Sequence, residues 1–179
     1  MRPGGPLASV VVLGFWLGAP AEAGAHRLDE YLQATRLSVT ADRVDVEIDL
    51  TAGVAVAAPV TALIDTNRDG GISDAEGDAY AAEVLRSVVL SVDGQPVRVT
   101  PAEARFPQLR DMSLGVGTIR VRASAHVSAA GSGRHQVSYL NAHWPESSVY
   151  LVNALVPSDP RIQITGQRRD GRQHGLTVD

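Results

Sequence analysis

Residues 43–50 alternate without a break, with Val44, Val46, Ile48 and Leu50 on one side and Arg43, Asp45, Glu47 and Asp49 on the other. A strict period of two fits a strand with one face in a core and one in water, and it fits no helix. Leu37 and Val39 continue the pattern upstream and Ala41-Asp42 supply a turn, so residues 34–51 read as a hairpin. Residues 118–127 repeat the alternation, Ile119, Val121, Ala123, Ala125 and Val127 against Thr118, Arg120, Arg122, Ser124 and His126. Asp93-Gly94 marks a tight turn between strands at 87–92 and 96–100. A strand at 134–142 is expected to return from the turn at 129–133, and two more are expected at 149–156 and 161–167, around Pro157-Ser158-Asp159-Pro160. About eight short strands with regular turn signals predict a mainly β chain with an α insertion, an antiparallel β-sandwich of the immunoglobulin-like kind.

The insertion is set by residues 65–76, Asp-Thr-Asn-Arg-Asp-Gly-Gly-Ile-Ser-Asp-Ala-Glu. Their spacing is that of a twelve-residue EF-hand loop, in which oxygen ligands recur at fixed offsets because a hard cation needs six to eight oxygens around it. Asp65, Asn67 and Asp69 fill positions one, three and five, and Gly70 permits the sharp turn at six. Gly71 offers its carbonyl at seven, Ser73 acts through water at nine, and Glu76 at twelve can give both carboxylate oxygens. Ile72 at position eight is the apolar anchor of such a loop. Converging carboxylates repel one another without a cation between them, so the expected cofactor is Ca2+.

Helices are expected on both sides of the loop, giving one helix-loop-helix at about 54–88. Ser73 and Glu76 form a capping box for the exiting helix, which Ala75, Ala79, Tyr80, Ala82, Val84 and Leu85 continue. The entering helix is expected to begin at Pro59, where a first turn tolerates proline.

Composition narrows the function. All 16 basic residues are arginine, with no basic run beyond Arg168-Arg169, and only 4% of the chain is aromatic, so no nucleic-acid partner is expected. The absence of lysine excludes Schiff-base chemistry, and the absence of cysteine excludes disulfides, thiol catalysis and thiolate metal sites. Residues 1–25 read as a signal peptide: Arg2, an apolar stretch at 7–18, then small residues that allow cleavage after Ala23 or Ala25. The mature chain, one domain over 26–179, is therefore expected to be periplasmic or secreted and not membrane-spanning.

Ala25-His26-Arg27-Leu28-Asp29-Glu30-Tyr31-Leu32, the strand at 43–50, the loop at 65–76 and Tyr139-Leu140-Asn141-Ala142-His143 together resemble a bacterial family of exported EF-hand domains. The set is similar to the extracytoplasmic domain found ahead of nickel/cobalt transporter-like membrane regions. That resemblance implies a membrane transporter or another envelope protein as partner, and it implies no reaction.

Other chemistry has less support. If cleavage follows Ala25, His26 becomes the N-terminal residue, and its amine and imidazole could chelate nickel, cobalt or copper, the pattern of an accessory metal-handling module. His126 and His135 flank the turn at 129–133, but parity places His126 outward and His135 inward beside Val137 and Tyr139. His143 and His174 have no partner that spacing can supply. Gly115-Val116-Gly117 reads as a flexible lead into a strand. Asp45, Glu47 and Asp49 read as a salt-bridged face with Arg36, Arg120 and Arg122 as partners. Hydrolase and phosphate-loop motifs are absent, and no enzyme is expected.

Overall fold

The computed structural model describes residues 29–128 and 131–179. The expected signal peptide, its cleavage sites and His26 lie outside the described residues. The chain is mainly β. One five-stranded sheet has the order β5-β6-β2-β1-β8 and the other β4-β3-β7-β10-β9. The first comprises β1 (Tyr31–Val39), β2 (Arg43–Ala52), β5 (Thr100–Arg105), β6 (Thr118–His126) and β8 (Ser148–Ala154). The second comprises β3 (Val88–Val92), β4 (Gln95–Pro96), β7 (Val137–Asn141), β9 (Gln167–Arg169) and β10 (Gly175–Val178).

The alternating stretches behave as their period requires. In β2, Val44, Val46, Ile48 and Leu50 are buried, and β6 opposes them in register, Val46 to Ala123 and Ile48 to Val121. The outward residues form the expected ionic face. Arg36 pairs with Glu47 and Asp49, Arg120 with Asp49 at 2.9 Å, and Arg122 with Glu47 at 2.6 Å. Leu90, Val137, Tyr139, Leu176 and Val178 of the second sheet join the first sheet's inward residues in one core.

Topology departs from the sequence expectation in three places. The β1–β8 ladder is parallel, Tyr31 opposite Ser148 and Leu37 opposite Ala154, although the other pairings among the described residues are antiparallel. The expected hairpin around 129–133 does not form, because β6 and β7 belong to different sheets and the chain crosses between them there. Residues 161–166 are not a strand; their backbone contacts go to the chain's end instead, Thr165 N–H donating to the Asp179 carbonyl at 2.7 Å.

Two strands carried too little signal to be expected. In β5 only Ala104 is even partly buried, and Pro101 beside a bulge suits the edge position the strand occupies. At four residues, β10 is too short for a pattern.

Three helices complete the described residues: α1 (Val54–Ile64), α2 (Asp74–Arg86) and α3 (Leu109–Ser113). α1 begins five residues before Pro59. Proline there removes the hydrogen bond to the Ala55 carbonyl, and the helix tolerates this because both residues are exposed to water. Gly115, expected to be flexible, instead closes α3. Its φ of 72° is the left-handed value, its N–H donates to the Met112 carbonyl at 2.9 Å, and the Val116 N–H reaches Asp111 at 3.1 Å, the Schellman pattern. No helix among the described residues is long and apolar enough to cross a membrane.

Candidate metal centre

β2 ends at Ala52 and feeds α1 directly, while α2 ends at Arg86 and feeds β3 through Ser87, so the loop at 65–76 hangs from one end of the two sheets. Its backbone is bent by the residues that the spacing singled out. Gly70 has φ 82° with open space where a Cβ would stand, and Arg68 takes the same left-handed region at φ 62°. The turn is held by side-chain acceptors. Asp65 Oδ1 accepts from Asp69 N at 3.1 Å and its Oδ2 from Gly70 N at 3.0 Å. Asn67 Oδ1 accepts from Asp69 N at 2.8 Å, and Asp69 Oδ1 accepts from Gly71 N at 2.8 Å. These contacts tie the side chains of Asp65, Asn67 and Asp69 to the backbone of the same bend.

Glu76 fastens the two ends of the loop. Its Oε1 accepts from Thr66 N at 2.9 Å, Thr66 Oγ1 at 3.1 Å and Asn67 N at 3.3 Å. Its Oε2 accepts from Ser73 N at 3.0 Å and Ser73 Oγ at 2.7 Å, and the capping box is closed by Glu76 N donating to Ser73 Oγ at 3.4 Å. The Ser73 hydroxyl and N–H, helped by the Asn67 and Thr66 donors, lower the Glu76 pKa to about 2, so the group is a carboxylate at any physiological pH. Ile72 packs against the core as the anchor position should.

The side chains at positions one, three, five, nine and twelve offer oxygens, and the Asn67 amide nitrogen is turned away as a donor to Asp69 Oδ2 at 3.0 Å. That set fits a hard divalent cation and suits a thiophilic or imidazole-seeking metal poorly. Among the described residues no three His, Asp or Glu side chains already stand grouped to hold an ion. In the loop the reason is visible, since both Glu76 oxygens are turned onto loop donors.

Behind the loop lies a buried polar network that spacing did not reveal. Tyr80, one helical turn after Glu76, is 3% exposed and its hydroxyl lies 3.3 Å from His143 Nε2. The His143 carbonyl accepts from Gln33 Nε2 at 2.7 Å and from Tyr150 Oη at 2.7 Å, and Gln33 Oε1 accepts from Asn141 Nδ2 at 2.8 Å. Thr35 and Tyr139 hydroxyls meet across the sheets at 3.0 Å. His143 lies in the loop after β7, is 1% exposed, and burial lowers its pKa to about 4. Tyr31, Tyr139, Asn141 and His143 all belong to the segments that carried the family resemblance, which was the available signal that they act together.

The remaining histidines are separate. His126 is exposed on the outer face as parity predicts. His135 does not point inward, because β7 starts only at Val137; its Nδ1 meets Asp93 Oδ2 at 2.7 Å and its Nε2 meets the Gly131 carbonyl at 2.9 Å. His174 Nδ1 meets Asp170 Oδ2 at 2.6 Å within one turn. No protein-family model, curated protein or solved structure matches this chain.

Proposed function

We propose that the protein is an exported calcium-binding domain, an immunoglobulin-like β-sandwich carrying one EF-hand whose ion clamps the helix pair to the sheets. Asp65, Asn67, Asp69, Glu76 and the Gly71 carbonyl bind the ion directly, and Ser73 binds it through water. The observation that carries this reading is the loop's own hydrogen bonding, in which N–H groups of positions five, six and seven orient the acceptors of positions one, three and five. Binding exchanges the Thr66 and Asn67 contacts of Glu76 for the cation.

Calcium is structural in this scheme. Because only the folded insertion presents these oxygens together, a hundredfold excess over Kd stabilises the domain by about 2.7 kcal/mol. The partner is a membrane transporter or another envelope protein. Calcium titration by calorimetry tests the proposal, with one site expected in the parent and an affinity at least about tenfold weaker in Glu76→Gln, where one ligand oxygen becomes an amide. Unchanged affinity in that variant would refute the loop assignment. Nickel in the same titration separates the reading that His26 handles transition metals, which requires uptake lost on His26→Ala.

A further inference from the structure

A cleft of about 810 Å³ opens at the end of the two sheets opposite the helix pair. The placement follows from the strands: β2 runs from the cleft at Val44 to α1, and β3 runs from α2 to the cleft at Val92. The β1–β2 turn, the start of β7, the end of β10 and the segment 161–165 form its walls. Its volume is in the range of small-molecule sites.

Part of the lining is aliphatic, set among polar, charged and glycine residues. Val44 and Val178 lie at the bottom, and Val39, Val127, Ile162 and Ile164 are half-buried along the sides. No Phe, Tyr or Trp is among the described lining residues, so the cleft offers a hydrocarbon surface and no platform for a nucleobase or sugar ring.

The mouth is cationic on a chain whose net charge is −4, with Arg134, Arg161 and Arg168 set against Asp93 and Asp179. Most of these charges are committed to one another. Asp93 is held by His135 and by Gln136 N at 2.8 Å, Asp179 by Arg168 and by Gln136 Nε2 at 2.9 Å, and Arg161 by Asp159 at 2.7 Å. Arg134 is exposed at the mouth; among the described residues its guanidinium makes no direct hydrogen bond, and its charge acts at longer range on the Asp179 carboxylate, which Arg168 and Gln136 already hold.

We infer that this cleft binds an aliphatic carboxylate, its chain along the valine and isoleucine walls and its head group on the Arg134 guanidinium, which can donate two parallel N–H bonds to a carboxylate. The site is separate from the calcium loop and needs no ion.

Calorimetry and amide chemical-shift mapping with octanoate, with octanol as the uncharged control and calcium held constant, test the inference. Saturable one-to-one octanoate binding is expected, with shifts at Gly133, Gln136 and Thr165, weakened about tenfold by Arg134→Gln while octanol binding is unchanged. Ile164→Ser should weaken both ligands. The shift map of the parent protein stands without any variant should Ile164→Ser fail to fold. No saturable binding, shifts confined to residues 54–88, or octanoate binding insensitive to Arg134→Gln would each overturn the inference.

Discussion

The hydroxyl of Tyr80 lies 2.7 Å from that of Tyr31, a buried contact joining the helix that leaves the acidic loop to the first strand of the sheet. Burial raises the Tyr80 pKa to about 12 and pushes that of Tyr31 well above its ordinary value, so both phenols stay protonated and each can donate. His143 receives the other end of the chain of bonds, and Trp144 packs edge-on against Tyr31 with centroids 5.8 Å apart. The helix that leaves the loop is thereby joined to the inter-sheet core.

Tyr80→Phe leaves the Tyr31 hydroxyl and a His143 nitrogen short of a buried partner. A loss of about 1–3 kcal/mol is expected in urea unfolding. The Tyr31→Phe, Tyr80→Phe double variant should lose less than the sum of the single ones, because the second substitution removes a group already orphaned.

Stability should fall as pH drops from 6.5 toward 4. His143 has a folded pKa near 4 against 6.5 for the ordinary side chain, so in that window the unfolded chain takes up a proton that the folded chain refuses. More protons on the unfolded state means stability that rises with pH, on the order of 3 kcal/mol across the window. Glu76 contributes at lower pH, its stabilisation being lost as pH falls from 4.5 toward 2. Urea midpoints measured from pH 7 to pH 4 should flatten in His143→Gln, and an equally steep profile in that variant would assign the slope to another group.

Gly117→Ala should destabilise the domain by about 1–3 kcal/mol, as overpacking against rigid atoms does. A Cβ at Gly117 would stand 2.7 Å from Met112 N and 2.9 Å from the Asp111 carbonyl carbon, backbone that cannot rotate away. Thermal unfolding of this variant beside Ser113→Ala, at an exposed helix position, checks the expectation.

Gln167 protects the open edge of β8. Its amide mimics a strand residue, Oε1 accepting from Ala154 N at 3.1 Å and Nε2 donating to the Ala154 carbonyl at 3.0 Å, while Arg169 Nε donates to the Val152 carbonyl at 2.6 Å. Leu151 and Leu155 are exposed nearby, so an uncovered edge there invites pairing with a second chain. Gln167→Ala should aggregate faster on mild heating, measured by light scattering, with a smaller change in urea midpoint than Tyr80→Phe shows.

The strands at 43–50 and 118–127 and the capping box of Ser73 and Glu76 were legible because each is a local pattern, fixed by residues a few places apart. β5 was illegible because an exposed edge strand has no apolar face to display, and the start of α1 was misplaced because solvent, which the sequence does not show, satisfies the carbonyl that Pro59 leaves free. His135 was misdirected when strand parity was extended past the true start of β7.

Sequence alone determined which faces of β2 and β6 are wet and where the helix pair interrupts the strands. Tertiary structure decided that β6 and β7 lie in different sheets, that β8 runs parallel to β1, and that His143 is buried against Tyr80. It also brought Val44, Ile164 and Arg134 to one cleft. These are contacts between residues tens of positions apart, set by how the two sheets close on a common core, and no local spacing encodes them.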